Sequence, residues 1–448
     1  MMLNMRSKSV ILILLCSAFS IVTGRWLDQS SGAGTSSYRA VYYGSRCLIH
    51  HADPYNADEF SRVYLAENGA LPKDPARRPL FLRAVMFCVN LPTTLFLLIP
   101  LALLPWGISH TLWLGMIAIS LTVAAVLAYD MTGESESRLP LVLICLLMAN
   151  CQVLFTVANT AGVSVGLCVI AVWCFTKQRF AWIGIVALAI SLALKPHDSG
   201  LVWLWLLVSG GLLRKRALQS ALLVAVIAVP AVVVVAHSSP HWRTELAANL
   251  AATSAHGDIS DPGPASNSRQ GSADIIIDLQ TVLSLLRDDP SFYNPATYLI
   301  CGVLLLFWLF SAVRTPQKPS GDFFALASLS AVTMLVSYHR PYDAKLLLLA
   351  IPAVSILASG KARLHKLAAI IATLAVLLTA DLPLALLAVL IRGIHVESLG
   401  TIERILLLPI LRFAPISLLL MCIVFLCICL LPKEVEKEDL ILANRGAQ

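Results

Sequence analysis

Long apolar runs, parted by short polar breaks, follow one another along nearly the whole chain. They lie near Val10–Val22, Leu82–Leu104, His110–Tyr129, Val153–Phe175, Trp182–Leu194, Leu201–Leu213, Leu218–Val235, Ala296–Val313, Phe323–Val336, Leu346–Ala358, Leu367–Thr379 and Leu406–Leu431. Many approach the ~20 residues a helix needs to cross the ~30 Å hydrocarbon core. Leu, Ala, Val and Ile dominate without period-two alternation, which argues for helices and against a transmembrane β-barrel. The pattern predicts an all-α polytopic membrane protein, one domain over residues 1–448, with about 11–13 transmembrane helices. A shorter piece, Leu139–Met148, is read as a helix entering from the outer side without crossing, because a full span there breaks the alternation of loops. Such a helix needs protein around its backbone ends. An amphipathic piece around Leu382–Ile391 precedes the last span.

Two interruptions are long, residues 25–83 and 237–295, and a polar tail follows from 433 to 448. Lys177–Arg179, Arg214–Arg216, Arg314–Lys318 and Lys361–Lys366 fall at alternate turns. The excess of Lys and Arg in cytoplasmic loops makes these turns and the tail cytoplasmic, together with Arg6 and Lys8 before the first run. No small-x-small cleavage site follows that run, so it is expected to stay as a helix. Both long loops, Lys195–Ser199 and Tyr338–Asp343 then lie outside a cell (inner or plasma) membrane, and the active face is extracytoplasmic.

Composition agrees: 58% of the residues are apolar and 13% charged, against roughly 25% charged in a soluble domain. The net charge of +7 comes from basic residues in short loops, where it sets orientation and calls for no nucleic-acid partner. There is no Walker loop, dinucleotide fingerprint or zinc spacing. Of eleven cysteines only Cys47 clearly lies outside an apolar run, so no disulfide framework is expected.

The placement of the remaining charge is informative. An ionisable side chain at mid-bilayer costs about 2.5–3.5 kcal/mol on insertion scales. Four outer-face clusters mix base, acid and aromatic: Tyr42, Tyr43 and Arg46 with His50, His51, Asp53, Tyr55, Asp58 and Glu59; Lys195-Pro196-His197-Asp198; Trp242-Arg243-Thr244-Glu245 with Asn249; and Tyr338-His339-Arg340-Pro341-Tyr342-Asp343-Ala344-Lys345. Taken singly, Lys195 or Arg340 could anchor to lipid head groups. Outer-face Lys and Arg run against the orientation rule, however, and the mixture suits a phosphate and a polar substrate. Arg offers a planar fork for two phosphate oxygens, Lys a compact charge, and a carboxylate or imidazole can take a proton from a hydroxyl.

At these residues the chain resembles glycosyltransferase family 87, membrane transferases of GT-C architecture that use a polyprenyl-phosphate sugar donor. The likeness is carried by Tyr42-Tyr43, Arg46 and Asp53-Pro54-Tyr55 with Asn90-Leu91-Pro92, Pro100 and Leu104-Pro105-Trp106; by Asn150-Cys151-Gln152 and the Lys177–Arg179 turn leading to Lys195-Pro196-His197; and by Tyr338-His339-Arg340 with Tyr342-Asp343. The resemblance implies a GT-C-like bundle and inverting transfer of a hexose, mannose above all, to a lipid or glycan acceptor. Lys195, His197, His339 and Arg340 would hold the carrier phosphate, with Tyr42, Tyr43 and Asp343 also lining the substrate site, and Arg46 would help neutralise the leaving group. Family members carry a catalytic acid a few positions before the Tyr-Tyr pair. Here that stretch, Gly34-Thr35-Ser36-Ser37-Tyr38-Arg39, holds no carboxylate, and Asp28 fits the spacing poorly. The base then falls to Asp53, or to Asp58 behind it. Those two acids could also offer oxygens to a divalent ion, but without a recognisable ligand spacing, so no cofactor or metal site is assigned. A ligase or polymerase using a polyprenyl-diphosphate carrier would want similar outer-face charge. A transporter would more often show repeated halves and mid-membrane polar groups, and no repeat is visible.

Overall fold

The structure, a computed structural model, describes residues 5–31, 35–72, 74–133, 137–264, 276–314, 319–360, 362–390 and 399–430. The turn at 315–318, Lys361 and the tail at 433–448, assigned above to the cytoplasmic side, lie outside the described residues.

Every regular element among the described residues is a helix. Six are long and apolar enough to cross a membrane: Arg6–Gln29, Trp106–Met131, Leu139–Val157, Gly211–Ser238, Pro290–Val313 and Phe413–Leu430. Arg363–Leu378 with Asp381–Leu387 makes a seventh if this pair, bent by 70°, is one span. Shorter apolar helices, Pro92–Ala102, Ala161–Thr176, Ala181–Leu194 and Asp322–Val336, pack among them. The chain is a multi-pass membrane protein.

Side chains mark the two ends of the bundle. At one end Asp130 gathers Arg6 (3.4 Å), Lys177 (3.4 Å) and the Trp173 indole (3.0 Å). The first helix therefore begins where Trp106–Met131 ends. At the opposite end Arg25 meets Asp28 at 2.8 Å and His110 at 3.4 Å. Tyr38 there stacks on Trp113, and Asn159 donates to Ser37 at 3.1 Å.

These contacts revise the path of the first half. Leu82–Leu104 is not one span. It breaks into Arg78–Met86 and Pro92–Ala102. Thr94 at the start of the second piece donates to the Leu194 carbonyl, while just past its end Trp106 packs on Tyr38, so both ends stay at the Arg25 end. Pro92 explains the break: it lacks an N–H and holds the preceding residue extended. Leu139–Met148, read above as a non-crossing helix, continues through a kink at Asn150-Cys151 into Gln152–Val157, and the two together reach from one end to the other. Val153–Phe175 is divided instead at Ala158, whose φ of 53° no helix continues through, and Asn159 caps the following helix by accepting from the Ala161 amide. The helix count between Arg25 and Lys177 is thereby restored to one that alternates.

Close packing of two spans rests on small residues. A Cβ on Gly166 would lie 2.8 Å from the backbone of Ser120, so glycine permits Ala161–Thr176 to touch Trp106–Met131. Gly162, one turn before, lets the Ser120 hydroxyl reach its carbonyl at 3.2 Å. This is the small-xxx-small contact by which membrane helices pack when water supplies no drive.

The kink at Asn150-Cys151 packs on the first helix, where the Ser20 hydroxyl donates to the Met148 carbonyl (2.6 Å) and accepts from the Cys151 amide (3.2 Å). A second interruption, at Thr379-Ala380, meets it there. Asp381 accepts from the Val153 amide at 2.8 Å, Asn150 accepts from the Leu382 amide at 3.1 Å, and the fully buried Lys345 ammonium donates to the Asn150 carbonyl. Two broken helices thus cap one another around one lysine. Backbone groups freed inside a bilayer need such partners, because no water is there to take them.

Candidate functional site

At the Arg25 end two interhelical breaks face each other. Lys195 lies between Ala181–Leu194 and Pro196–Val208 with φ −155° and ψ 79°. Pro196 forces that extended conformation on it, which turns the side chain out of the helical track. Opposite, Tyr338–Tyr342 follows the helix ending at Val336, and Pro341 keeps it irregular. Loop two lines this segment: the Ile277 amide donates to the His339 carbonyl at 2.9 Å, and the Leu279 amide to the Leu335 carbonyl at 3.1 Å.

The side chains converge. Lys195 donates to Asp343 in a short ion pair and lies 3.5 Å from Asp198, over the Tyr342 ring. Asp198 also faces His339 Nε2 at 3.5 Å and His197 Nε2 at 3.8 Å. Asp343 further accepts from the Arg340 amide at 2.8 Å. Asp198, His339 and Asp343 are at most 2% exposed, whereas 42% of the His197 side chain is accessible, so the cluster opens on the His197 side. The Arg340 guanidinium donates to the Tyr338 hydroxyl and, at 2.8 Å, to the Ile259 carbonyl of loop two.

Five of the residues singled out in the sequence, Lys195, His197, His339, Arg340 and Asp343, are therefore neighbours although 148 positions separate Lys195 from Asp343. Loop one forms a separate arrangement. Tyr42 and Tyr43 are buried in an aromatic cluster with Tyr38, Tyr64 and Trp106, and the Tyr42 hydroxyl donates to the Leu104 carbonyl. Arg46 forms an ion pair with Glu67 and donates to the Ala102 carbonyl at 3.2 Å. Ala102 is eight residues beyond Thr94, which touches Leu194, and so about 12 Å along the helix from the Lys195 break. Arg46 ties Ser36–Ile49 to its surroundings rather than joining that cluster.

Asp53 is half-buried at the start of a turn, its carboxylate accepting from the Tyr55 amide at 2.8 Å and its own amide donating to Glu59. Its carboxylate also meets Glu245 of loop two. Burial first, then hydrogen bonding to and repulsion from Asp53, raise the Glu245 pKa above the ordinary carboxylate range. Two carboxylates so placed favour sharing a proton. Asp58 is exposed on the first turn of Ala57–Ala66, capped by Asn56. Asp28 is engaged with Arg25. No ion pair or hydrogen bond joins Asp53 to the Lys195 cluster among the described residues. Loop two still bridges the two regions: Asn249 donates to the carbonyls of Tyr55 and Cys88, and Asp258, next to the Ile259 that holds Arg340, pairs with Arg83 at 2.8 Å.

Asp198 and Glu245 stand in the sequence clusters, yet neither was assigned a role there. For Asp198 a signal exists, since it lies three residues after Lys195 at a helix start. Nothing local points from Glu245 to Asp53, 192 residues away.

The fold and site together define a multi-pass membrane protein with a buried cation–carboxylate–imidazole cluster at one end of its helical bundle. The sequence model of glycosyltransferase family 87 matches residues 89–337, more than half of the chain, and the protein belongs to that family. It is a membrane glycosyltransferase. The matched part includes the Lys195 break; Tyr42–Asp58 and Tyr338–Asp343 lie outside it. No curated protein and no solved structure matches the chain.

Proposed function

We propose that the protein transfers a hexose, mannose by its family resemblance, from a polyprenyl-phosphate carrier to a lipid or glycan acceptor on the extracytoplasmic face. The observation that carries this reading is the meeting of Lys195, His197, His339 and Arg340 at one end of an apolar bundle, where a lipid-linked phosphate can arrive laterally while its head remains among polar groups. The carrier phosphate approaches from the open His197 side. Asp343 and Asp198 keep the Lys195 ammonium in place, and Arg340 holds loop two over the site through Ile259. Asp53 serves as the base for the acceptor hydroxyl, with the Glu245 carboxyl beside it.

Purified protein given a radiolabelled polyprenyl-phosphate hexose and membrane extract should transfer the label, and a polyprenyl-diphosphate glycan should not compete. Absence of transfer under every acceptor tried, or competition by the diphosphate carrier, sinks this reading. Within the same assay Asp53→Asn, which keeps the turn-forming oxygen, should lower turnover by about 10²-fold while donor binding persists. Normal transfer by Asp53→Asn with loss in Asp58→Asn would move the base to Asp58. Arg340→Ala should lower kcat/KM for the donor by roughly 10–100-fold, as expected for a charge-assisted hydrogen bond of about 1.5–3 kcal/mol, and Arg340→Lys should restore only part of it. Unchanged kinetics would return Arg340 to lipid anchoring. For the face of the membrane, a cysteine at the exposed Ser254 of loop two should react with an impermeant thiol reagent in intact cells; labelling only after the membrane is opened would reverse the orientation.

A further inference from the structure

The contacts around Asp198 are too long for what surrounds it. Its side chain is 1% exposed, and neither carboxylate oxygen has a hydrogen-bond partner. His339 is wholly buried and its Nε2 likewise has no partner, while its Nδ1 lies 2.8 Å from the Ser337 carbonyl. A carbonyl can only accept, so Nδ1 carries a proton, and Nε2 faces the carboxylate either as the second N–H of an imidazolium or as a free lone pair. In the neutral ring, lone pair against anion is repulsive unless a cation stands between, which is the state a metal ion selects. At 3.5 Å the gap is at the outer limit for a shared proton. An ion ~2.1 Å from each of two such atoms would subtend roughly 110°, near tetrahedral. His197 Nε2 supplies a third donor at 3.8 Å from the same oxygen, and the three ligand atoms lie within 4.8 Å of one another.

We propose that His197, Asp198 and His339 form a site for a divalent transition-metal ion, with a fourth position open on the His197 side. Two imidazoles and one carboxylate select ions of the manganese-to-zinc series over calcium or magnesium. The Ser337 carbonyl on His339 Nδ1 is the outer partner that fixes a ligand imidazole's tautomer. Lys195 and the N-terminus of Pro196–Val208 oppose a cation here; Asp198 and Asp343 offset them. With Lys195 charged and the imidazoles neutral, the two carboxylates leave the inner cluster one unit negative, which repels a phosphodiester. A divalent ion makes it one unit positive and leaves the open position to a phosphate oxygen. That role rests on the transferase reading above; the metal site itself does not.

The test uses the full chain in detergent, stripped with chelator and titrated with Co²⁺ without any sugar donor. One equivalent should bind and give visible d–d absorption of a four- or five-coordinate ion. His339→Gln and His197→Ala should each weaken binding at least tenfold and lose the bands. His256→Ala should change neither, although it dismantles a second grouping of metal-ligating side chains among the described residues, His256 with Asp261 and Asp288. Retention of the bands in His339→Gln, or their loss in His256→Ala, overturns the assignment, as does a wild-type protein that binds no more Co²⁺ than His339→Gln. His197 is accessible and its replacement leaves no buried group unpaired, so a folding failure of His339→Gln does not protect the proposal. Because no donor is present, a failed transfer assay leaves this result unaffected.

Discussion

Lys195→Met should lower sugar transfer by at least 10²-fold and also weaken the fold. The ammonium is the only Lys or Arg side-chain cation within 4 Å of both Asp198 and Asp343 among the described residues, and those carboxylates are 1% and 2% exposed. Removing one partner of a buried ion pair costs roughly 3–5 kcal/mol, because the other charge stays behind without compensation. Loss of the charge-assisted contact to the carrier phosphate adds to the fall in rate. The two effects separate in a double variant. Lys195→Met with Asp343→Asn removes both members of the shorter pair and should regain much of the thermal stability in detergent, while transfer stays low. Recovery of transfer along with stability would show that Lys195 only holds the two breaks together. Full stability of the single variant would show that the pair is not worth its burial.

Lys345→Met should destabilise the fold by about 1–3 kcal/mol, the cost of leaving a buried acceptor without its partner. Its side chain is 1% exposed, and its ammonium donates to the carbonyl at which Leu139–Val157 kinks. Methionine fills the space and removes the donor, so the Asn150 carbonyl loses a partner where none can be borrowed from water. The measurement is the midpoint of thermal unfolding in detergent. Asn150→Ala touches the same knot from the other side, since Asn150 also accepts from Leu382. Residues in one network do not act independently, so the double variant should fall short of the summed effects. Strict additivity would mean that the two broken helices are held by something else. Sugar transfer should fall with stability in this series, because Asp343 and Lys345 belong to one short helix, Asp343–Ala350.

The sequence by itself determined the environment and the helical class, and it marked out charged side chains that the fold brings together. Apolar runs such as Leu218–Val235 and Leu406–Leu431 are of the length a bilayer asks for, and the alternate basic turns place Arg6 and Lys177 together, as their shared Asp130 shows. Costly charge in otherwise apolar surroundings is visible in a string of letters, which is why Lys195, His197, His339, Arg340 and Asp343 stand out in the sequence. Where runs break, and what each break faces, was decided only by tertiary structure. Hydropathy averages over about a helix length, so it cannot distinguish a span from two short helices at Pro92, nor see that Leu139–Met148 carries on beyond a kink satisfied by Lys345 and Asp381. The same holds for Arg46, whose Glu67 partner consumes a charge that the sequence offers to a substrate, and for Glu245, which reaches Asp53 only because Asn249 seats loop two on Tyr55. A charge's cost is a property of one position; its use depends on the partner that meets it, and that partner comes from elsewhere in the chain.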